Sequence, residues 1–176
     1  MFKGIIFDLD QTLIDSSIAR EYRKSRKWDE VYPLIPKFKK YSNIIACCNR
    51  LKEIGIKVAI VTSSPGVYSK KVTKYWNINY DYLITYHDTK KNKPNPEPIQ
   101  KAIDKMRISS KNIICVGDDS KDITAANKSN CISVAALWGI DNYNTNIYKN
   151  ADFLFDNVKD FNYFLARKIK KSKGHK

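Results

Sequence analysis

The sequence predicts an α/β fold built on a doubly wound, mainly parallel, Rossmann-like sheet. Two observations carry this expectation. Short apolar runs alternate with helical stretches along almost the whole chain; that alternation belongs to parallel sheets covered by helices on both faces. Three of the runs then pass directly into polar or acidic residues, at Phe7-Asp8-Leu9-Asp10, Val61-Thr62-Ser63-Ser64 and Val116-Gly117-Asp118-Asp119. Doubly wound sheets bind ligands beyond the carboxyl ends of their strands, where the strand order reverses. At 176 residues the chain has the length of one domain with room for a small insertion.

Taken in order, Lys3–Asp8 reads as a short buried strand. Ser16–Glu30 is helical in composition but mostly polar, and Val31–Pro36, with two prolines, reads as a turn or linker. In Lys39–Glu53 the apolar Ile44, Ile45, Cys48 and Leu51 recur at helical spacing, and Gly55 stops the helix. Ile56–Thr62 scarcely alternates, so both faces of this strand are expected to be covered. After the turn at Ser63–Gly66 come a helix over Gly66–Trp76 and a short strand at Tyr82–Thr85. The polar loop His87–Pro98 leads into a helix at Glu97–Met106, then a strand at Asn112–Gly117 and a helix at Asp119–Ser129. Strands at Ile132–Leu137 and Phe153–Phe155 and a helix at Asp156–Lys168 complete the core, with residues 167–176 as a basic tail. Trp138, just past the fifth strand, reads as a packing residue.

Composition narrows the classes. Hydrophobic residues make up 43% and charged residues 28%, which fits a globular chain and not a disordered one. The longest uncharged apolar runs, such as Val58–Val61 and Ile113–Val116, fall far short of the roughly 18–20 residues of a membrane helix. The start Met1-Phe2-Lys3-Gly4 soon reaches Asp8, so no secretory core region is expected; a soluble cytoplasmic protein is the expectation, with no membrane partner. Cys47, Cys48, Cys115 and Cys131 lack any C-x-x-C pairing, and with His87 and His175 as the only histidines they read as free thiols and not a zinc site. The formal charge of +14 suggests an anionic partner, nucleic acid among them. An AT-rich coding bias, which enriches Lys, Asn, Ile and Tyr together, accounts for the same excess without a function.

The acids are the chemical signal. Asp8 and Asp10 leave one strand end two residues apart, and Asp118, Asp119 and Asp122 follow another. Clustered carboxylates in a poorly solvated crevice must either take up a proton or share a cation. Oxygen-only ligands suit a hard ion, Mg²⁺ foremost. Each Asp taken singly also reads as a turn former or helix cap, Asp119 most of all because it opens a helix. Two acidic strand ends beside Thr62 favour the site.

In this setting FDLDQTL at Phe7–Leu13 resembles the first motif of the haloacid dehalogenase-like hydrolase superfamily. AIVTSSPG at Ala59–Gly66 resembles the second, Lys93-Pro94-x-Pro96 the third and VGDDSKDI at Val116–Ile123 the fourth, in the family's order and over nearly the whole core. The resemblance implies a Mg²⁺-dependent phosphomonoester hydrolase. Asp8 would be the nucleophile, forming an aspartyl-phosphate, and Asp10 the general acid and base. Thr62, with main-chain amides near Leu9 and Ser63, would bind the transferring phosphoryl group. Lys93 would neutralise charge there; Lys90 and Lys91 compete for that role, and the following proline favours Lys93. Asp118 would hold the metal with the Asp8 carboxylate and the Asp10 carbonyl, while Asp122 supports the metal or orients Lys93. An aspartate at position 10 is the phosphatase pattern and argues against dehalogenation. Gln11 and Ser63 depart from the commoner Gly and Asn; Gln11 sits where the chain flips after the nucleophile.

Members acting on small metabolites usually carry a sizeable helical cap between the first two motifs. Here 53 residues separate Asp8 from Thr62, and the core consumes part of them, so only a minimal lid at residues 15–36 is expected. Such an open site admits a phosphorylated small molecule, a phosphorylated macromolecule such as a nucleic-acid end, or a lid supplied by a homodimer in place of a monomer. The lid carries Arg20, Arg23, Lys24, Arg26 and Lys27 with Tyr22 and Trp28. That interleaving suits a polyanion or a stacked base; it suits equally a solvated helix face with Trp28 packed on the core.

Overall fold

In the computed structural model, which describes residues 2–140 and 148–173, the strands in chain order are β1 (Gly4–Phe7), β2 (Ile14–Asp15), β3 (Lys39–Lys40), β4 (Lys57–Val61), β5 (Tyr82–Ile84), β6 (Ile113–Gly117), β7 (Ile132–Ala136) and β8 (Phe153–Phe155). The helices are α1 (Arg20–Lys24), α2 (Trp28–Val31), α3 (Ile44–Glu53), α4 (Gly66–Tyr75), α5 (Glu97–Met106), α6 (Ser120–Lys128) and α7 (Val158–Lys173). Six strands form one sheet in the order β5-β4-β1-β6-β7-β8, and every pairing in it is parallel. The expected fold class is the observed one.

The alternation of the strand direction sorts the core into two faces. Ile5 and Phe7 of β1 with Val58 and Ile60 of β4 join the apolar sides of α3, α4 and α7, including Cys48, Leu51, Val72, Phe161 and Leu165. Ile6, Ala59 and Val61 point to the other face and meet Ile99, Ile103 and Met106 of α5 and Ala125 and Ala126 of α6. A strand covered on both faces has no polar side to spare, which is why β1 and, in β4, Val58–Val61 read as unbroken apolar runs. Each fully buried Ile or Phe of this set contributes about 1.5–3 kcal/mol.

The segment expected to form a lid, residues 15–36, differs locally from the sequence reading. In place of one helix over Ser16–Glu30, the chain makes a 3₁₀ turn at Ser17–Ala19 and then the short α1 and α2. Ser25 Oγ donates to the Glu21 and Tyr22 carbonyls at the end of α1, and Arg26 takes a positive φ of 58°, so the two helical pieces cannot run on. Where a turn or linker is expected at Val31–Pro36, the chain makes a 3₁₀ turn at Tyr32–Lys37. Helical structure was expected from Lys39, but α3 starts only at Ile44, where the apolar spacing starts; Lys39 and Lys40 instead pair antiparallel with Asp15 and Ile14. This two-stranded ribbon closes the base of the inserted segment. At the other terminus α7 takes in the first part of the basic tail, to Lys173; residues 174–176 lie outside those described. No helix among the described residues is long and apolar enough to cross a membrane.

Asp81, at the entry to β5, ties this strand to α3 and β4. Its carboxylate accepts from Lys52 Nζ at 2.6 Å and from the Val58 N–H at 2.9 Å. Burial pushes its pKa up, but those two donors outweigh burial and hold it below the usual carboxylate value. A carboxyl depressed on folding stabilises above its unfolded value, about 4, and that contribution is lost as pH falls through the folded value. Asp81→Asn should therefore cost about 1 kcal/mol near neutral pH after solvent screening. Urea unfolding should show the gap from wild type closing on acidification.

Candidate active site

Three strand ends meet at one cleft because β1 lies between β4 and β6. Asp8 and Asp10 follow β1, Thr62 to Ser64 follow β4, and Asp118 to Asp122 follow β6. Together they line a cleft of about 770 Å³, joined by Lys93 from the loop before α5. That loop is folded back on α5: the N–H groups of Lys90 and Lys91 donate to the Glu97 carboxylate. The tether spends the main chain of Lys90 and Lys91 on the helix and sends Lys93 inward.

The Lys93 ammonium has all three of its donors in use. It lies 2.7 Å from Asp8 Oδ1, 2.5 Å from Asp122 Oδ1 and 3.0 Å from the Val61 carbonyl. Its side chain is only 5% exposed. Burial alone would drive the lysine toward neutrality, but the Asp122 and Asp8 carboxylates outweigh it and hold the pKa above its ordinary value. Asp8 is pushed up to about 7, first by burial and further by Asp122 and Asp10, with Lys93 opposing. Burial, with Asp8 and Asp122 nearby, also raises Asp118. Thr12 Oγ1 donates to Asp118 at 3.2 Å, and Tyr148 donates to its carbonyl at 2.6 Å. Trp138, expected as a packing residue, lies against Phe161 and donates to the Thr12 carbonyl at 3.0 Å.

Asp119 and Asp122 part company. Asp119 caps α6, accepting from the Lys121 N–H at 2.9 Å. Asp122 returns a bond to the Asp119 N–H at 3.1 Å and turns its other oxygen to Lys93. Gly117 makes this possible: a Cβ there would overlap the Asp122 carboxylate. One oxygen from each of Asp8, Asp118 and Asp122 lies within 4.8 Å of the others. Three carboxylates against one ammonium leave excess negative charge, and an all-oxygen set of this size fits a hard divalent cation.

Asp10 stands in a separate setting. Oδ1 accepts from Ser16 Oγ and from the Tyr68 hydroxyl, each at 2.6 Å, and Oδ2 accepts from Ser64 Oγ at 2.7 Å. Arg23 Nη1 lies 2.9 Å from Oδ2. The turn after Asp10 holds Gln11 at a φ of 62°. Its side chain braces that turn, since Oε1 accepts from the Ser16 N–H at 3.1 Å and lies 3.0 Å from the Ser16 Oγ. Thr62 is buried and accepts from the Ser64 N–H at 3.1 Å; Thr62 and Ser63 both line the cleft. The Leu9 side chain is fully buried, which leaves only its main chain for a ligand. The motif pattern did not reveal Ser16, Arg23 and Tyr68 as partners of Asp10, nor Thr12 and Tyr148 as partners of Asp118.

The sequence profile described as haloacid dehalogenase-like hydrolase matches residues 18–136, a span that takes in Thr62, Lys93, Asp118 and Asp122. The chain belongs to the haloacid dehalogenase-like hydrolases. Among curated members, it is 23% identical to pyrophosphatase PpaX of Oceanobacillus iheyensis over 205 residues, covering 90% of this chain and 94% of that one. It is 31% identical to a phosphoglycolate phosphatase of Xanthomonas campestris over 101 residues, covering 56% and 46%. The chain spans 42% to 94% of the length of such curated relatives, and under two thirds for most of them. Among solved structures of this fold, CbbY of Rhodobacter sphaeroides in complex with phosphate superposes with a TM-score of 0.77 at 14% identity, covering 92% of this chain and 96% of that one.

The raised Asp8 sets a pH dependence for this hydrolase fold. A carboxyl whose folded pKa exceeds its unfolded one binds more protons when folded, so it lowers stability as pH rises between the two. For Asp8 that window runs from the usual carboxylate value to about 7. In EDTA, wild type should lose several degrees of melting temperature relative to Asp8→Asn as pH rises through this window. Millimolar Mg²⁺ should return them to wild type. Thermal melts showing a pH-independent gap between the two proteins would contradict the charge balance described.

Proposed function

We propose that the protein is a Mg²⁺-dependent phosphatase that hydrolyses phosphomonoesters of small molecules through an aspartyl-phosphate on Asp8. The observation that carries this reading is the pairing of Asp8 with buried Lys93 at 2.7 Å, while Asp10, two residues on, keeps its own set of donors. A carboxylate approaching a phosphate dianion meets like-charge repulsion, so a nucleophile of this kind needs fixed positive charge beside it. The names of the curated relatives, a pyrophosphatase and a phosphoglycolate phosphatase, support the same class.

Asp8, Asp118, Asp122 and the Asp10 carbonyl are the groups that would hold Mg²⁺, and the ion would supply charge to offset the phosphoryl oxygens. In the first step an Asp8 oxygen bonds to phosphorus as the bond to the leaving oxygen breaks, and Asp10 gives that oxygen a proton. In the second, Asp10 takes a proton from water, whose oxygen bonds to phosphorus; phosphate departs and Asp8 is regenerated. Thr62 and the amides near Leu9 and Ser63 donate to the phosphoryl oxygens, and Lys93 keeps Asp8 aimed and its charge balanced.

Hydrolysis of para-nitrophenyl phosphate at neutral pH should require Mg²⁺ and stop in EDTA. Asp8→Asn should abolish it with the fold retained by circular dichroism. Asp10→Asn should slow it by about 10²–10⁴-fold. Full activity in Asp8→Asn would overturn the assignment.

A further inference from the structure

Arg23 of α1 reaches from the inserted segment to Asp10, 2.9 Å from Nη1 to Oδ2, with the two side chains 16% and 10% exposed. It is the fourth partner of a carboxylate whose other three are hydroxyls, those of Ser16, Ser64 and Tyr68. The difference matters. A hydroxyl turns to accept as readily as it donates, whereas a guanidinium only donates. When Asp10 carries the proton for a leaving oxygen on Oδ2, the Ser64 hydroxyl can stay and reverse its bond, whereas Arg23 on the same oxygen cannot.

A guanidinium buried this deeply needs another anion once it leaves Asp10. The carboxylates nearest to hand are engaged. Asp8 and Asp122 hold Lys93, Asp118 takes Thr12, and Asp119 caps α6. Arg23 Nε, moreover, is buried with no hydrogen-bond partner, so the side chain carries a donor that Asp10 does not satisfy. Nε and a neighbouring Nη form the two-donor edge that matches a carboxylate or phosphate. Arg20, Lys24 and Arg26 of the same segment, with Lys121 opposite, line the cleft and draw anions toward that edge.

We propose that Arg23 reads a second anionic group, carboxylate or phosphate, on the phosphomonoester, and that this exchange of partners frees Asp10 for the leaving oxygen. The proposal rests on the phosphatase reading and deepens it: Arg23 is a specificity-determining and positioning residue, and the substrate class is a phosphomonoester or phosphoanhydride with a second anion beyond the scissile oxygen.

Ethyl phosphate and 2-phosphoglycolate test this as a matched pair, differing by a methyl against a carboxylate, and pyrophosphate supplies a phosphate in its place. With the full chain and Mg²⁺, wild type is expected to favour at least one of the two compounds that carry a second anionic group over ethyl phosphate by about 100-fold in kcat/KM. Arg23→Ala is expected to erase that preference while raising kcat on ethyl phosphate, because Asp10 is no longer held. Arg23→Lys should recover part of the preference. These changes of opposite sign are ones that a merely structural role would not produce. A wild type without preference, a preference unchanged by Arg23→Ala, or an equal loss on all three compounds would overturn the proposal. If wild type hydrolyses none of them and not para-nitrophenyl phosphate either, the phosphatase reading fails; in any case where none of the three is hydrolysed, calorimetric titration of Asp8→Asn with 2-phosphoglycolate and with pyrophosphate decides the second-anion site. Binding weakened about tenfold or more by adding Arg23→Ala upholds it; equal or undetectable binding overturns it.

Discussion

The site is organised by one buried ammonium. Lys93 lies between Asp8 and Asp122, within hydrogen-bond reach of both, and without it the carboxylates after β1 and β6 would face one another almost unopposed. Burying one charge is costly and burying several of like sign more so. The chain therefore commits a good deal of structure to delivering Lys93. Glu97 anchors the loop through the amides of Lys90 and Lys91, and the Val61 carbonyl takes the third ammonium proton.

The parallel sheet makes this arrangement possible. Strands that run in one direction place all their carboxyl ends on one edge, and the central position of β1 sets Asp8 between the ends of β4 and β6. Local backbone then does the fine placement. Gly117 admits the Asp122 carboxylate against the end of β6, and the left-handed turn at Gln11, braced by Ser16, carries the chain away after Asp10. Asp8 and Asp10 thus come from one turn into different surroundings. Asp8 shares a lysine with other acids, whereas Asp10 is ringed by hydroxyls and one arginine. Two carboxylates in different environments is the arrangement that lets neighbouring acids take different roles.

The core of the fold was legible because its signal is local. An unbroken apolar run such as Val58–Val61 marks a strand covered on both faces, and the polar residues just after three of the strands marked the edge where the cleft lies. Lys93 could be preferred to Lys90 and Lys91 from the prolines beside it. The partners of Asp10 could not. Tyr68 lies on the first turn of α4, Arg23 on a segment whose polar sequence has no periodicity to orient it, and both meet Asp10 only in the folded chain. The ribbon of Ile14–Asp15 with Lys39–Lys40 was hidden for a related reason. Two residues per strand carry no alternation, and the lysines looked like the start of the helix that follows.

The central claim is that Asp8, with its charge balanced by Lys93, carries the phosphoryl group covalently. The most direct measurement is acid quench during steady-state turnover of a saturating phosphomonoester, followed by peptide mapping by mass spectrometry with and without borohydride reduction. The account predicts a phosphoryl group on the peptide containing Asp8, and reduction of Asp8 to homoserine in the borohydride-treated sample. Sustained turnover with Asp8 unmodified and unreduced, or with the phosphoryl group on another residue, would contradict it.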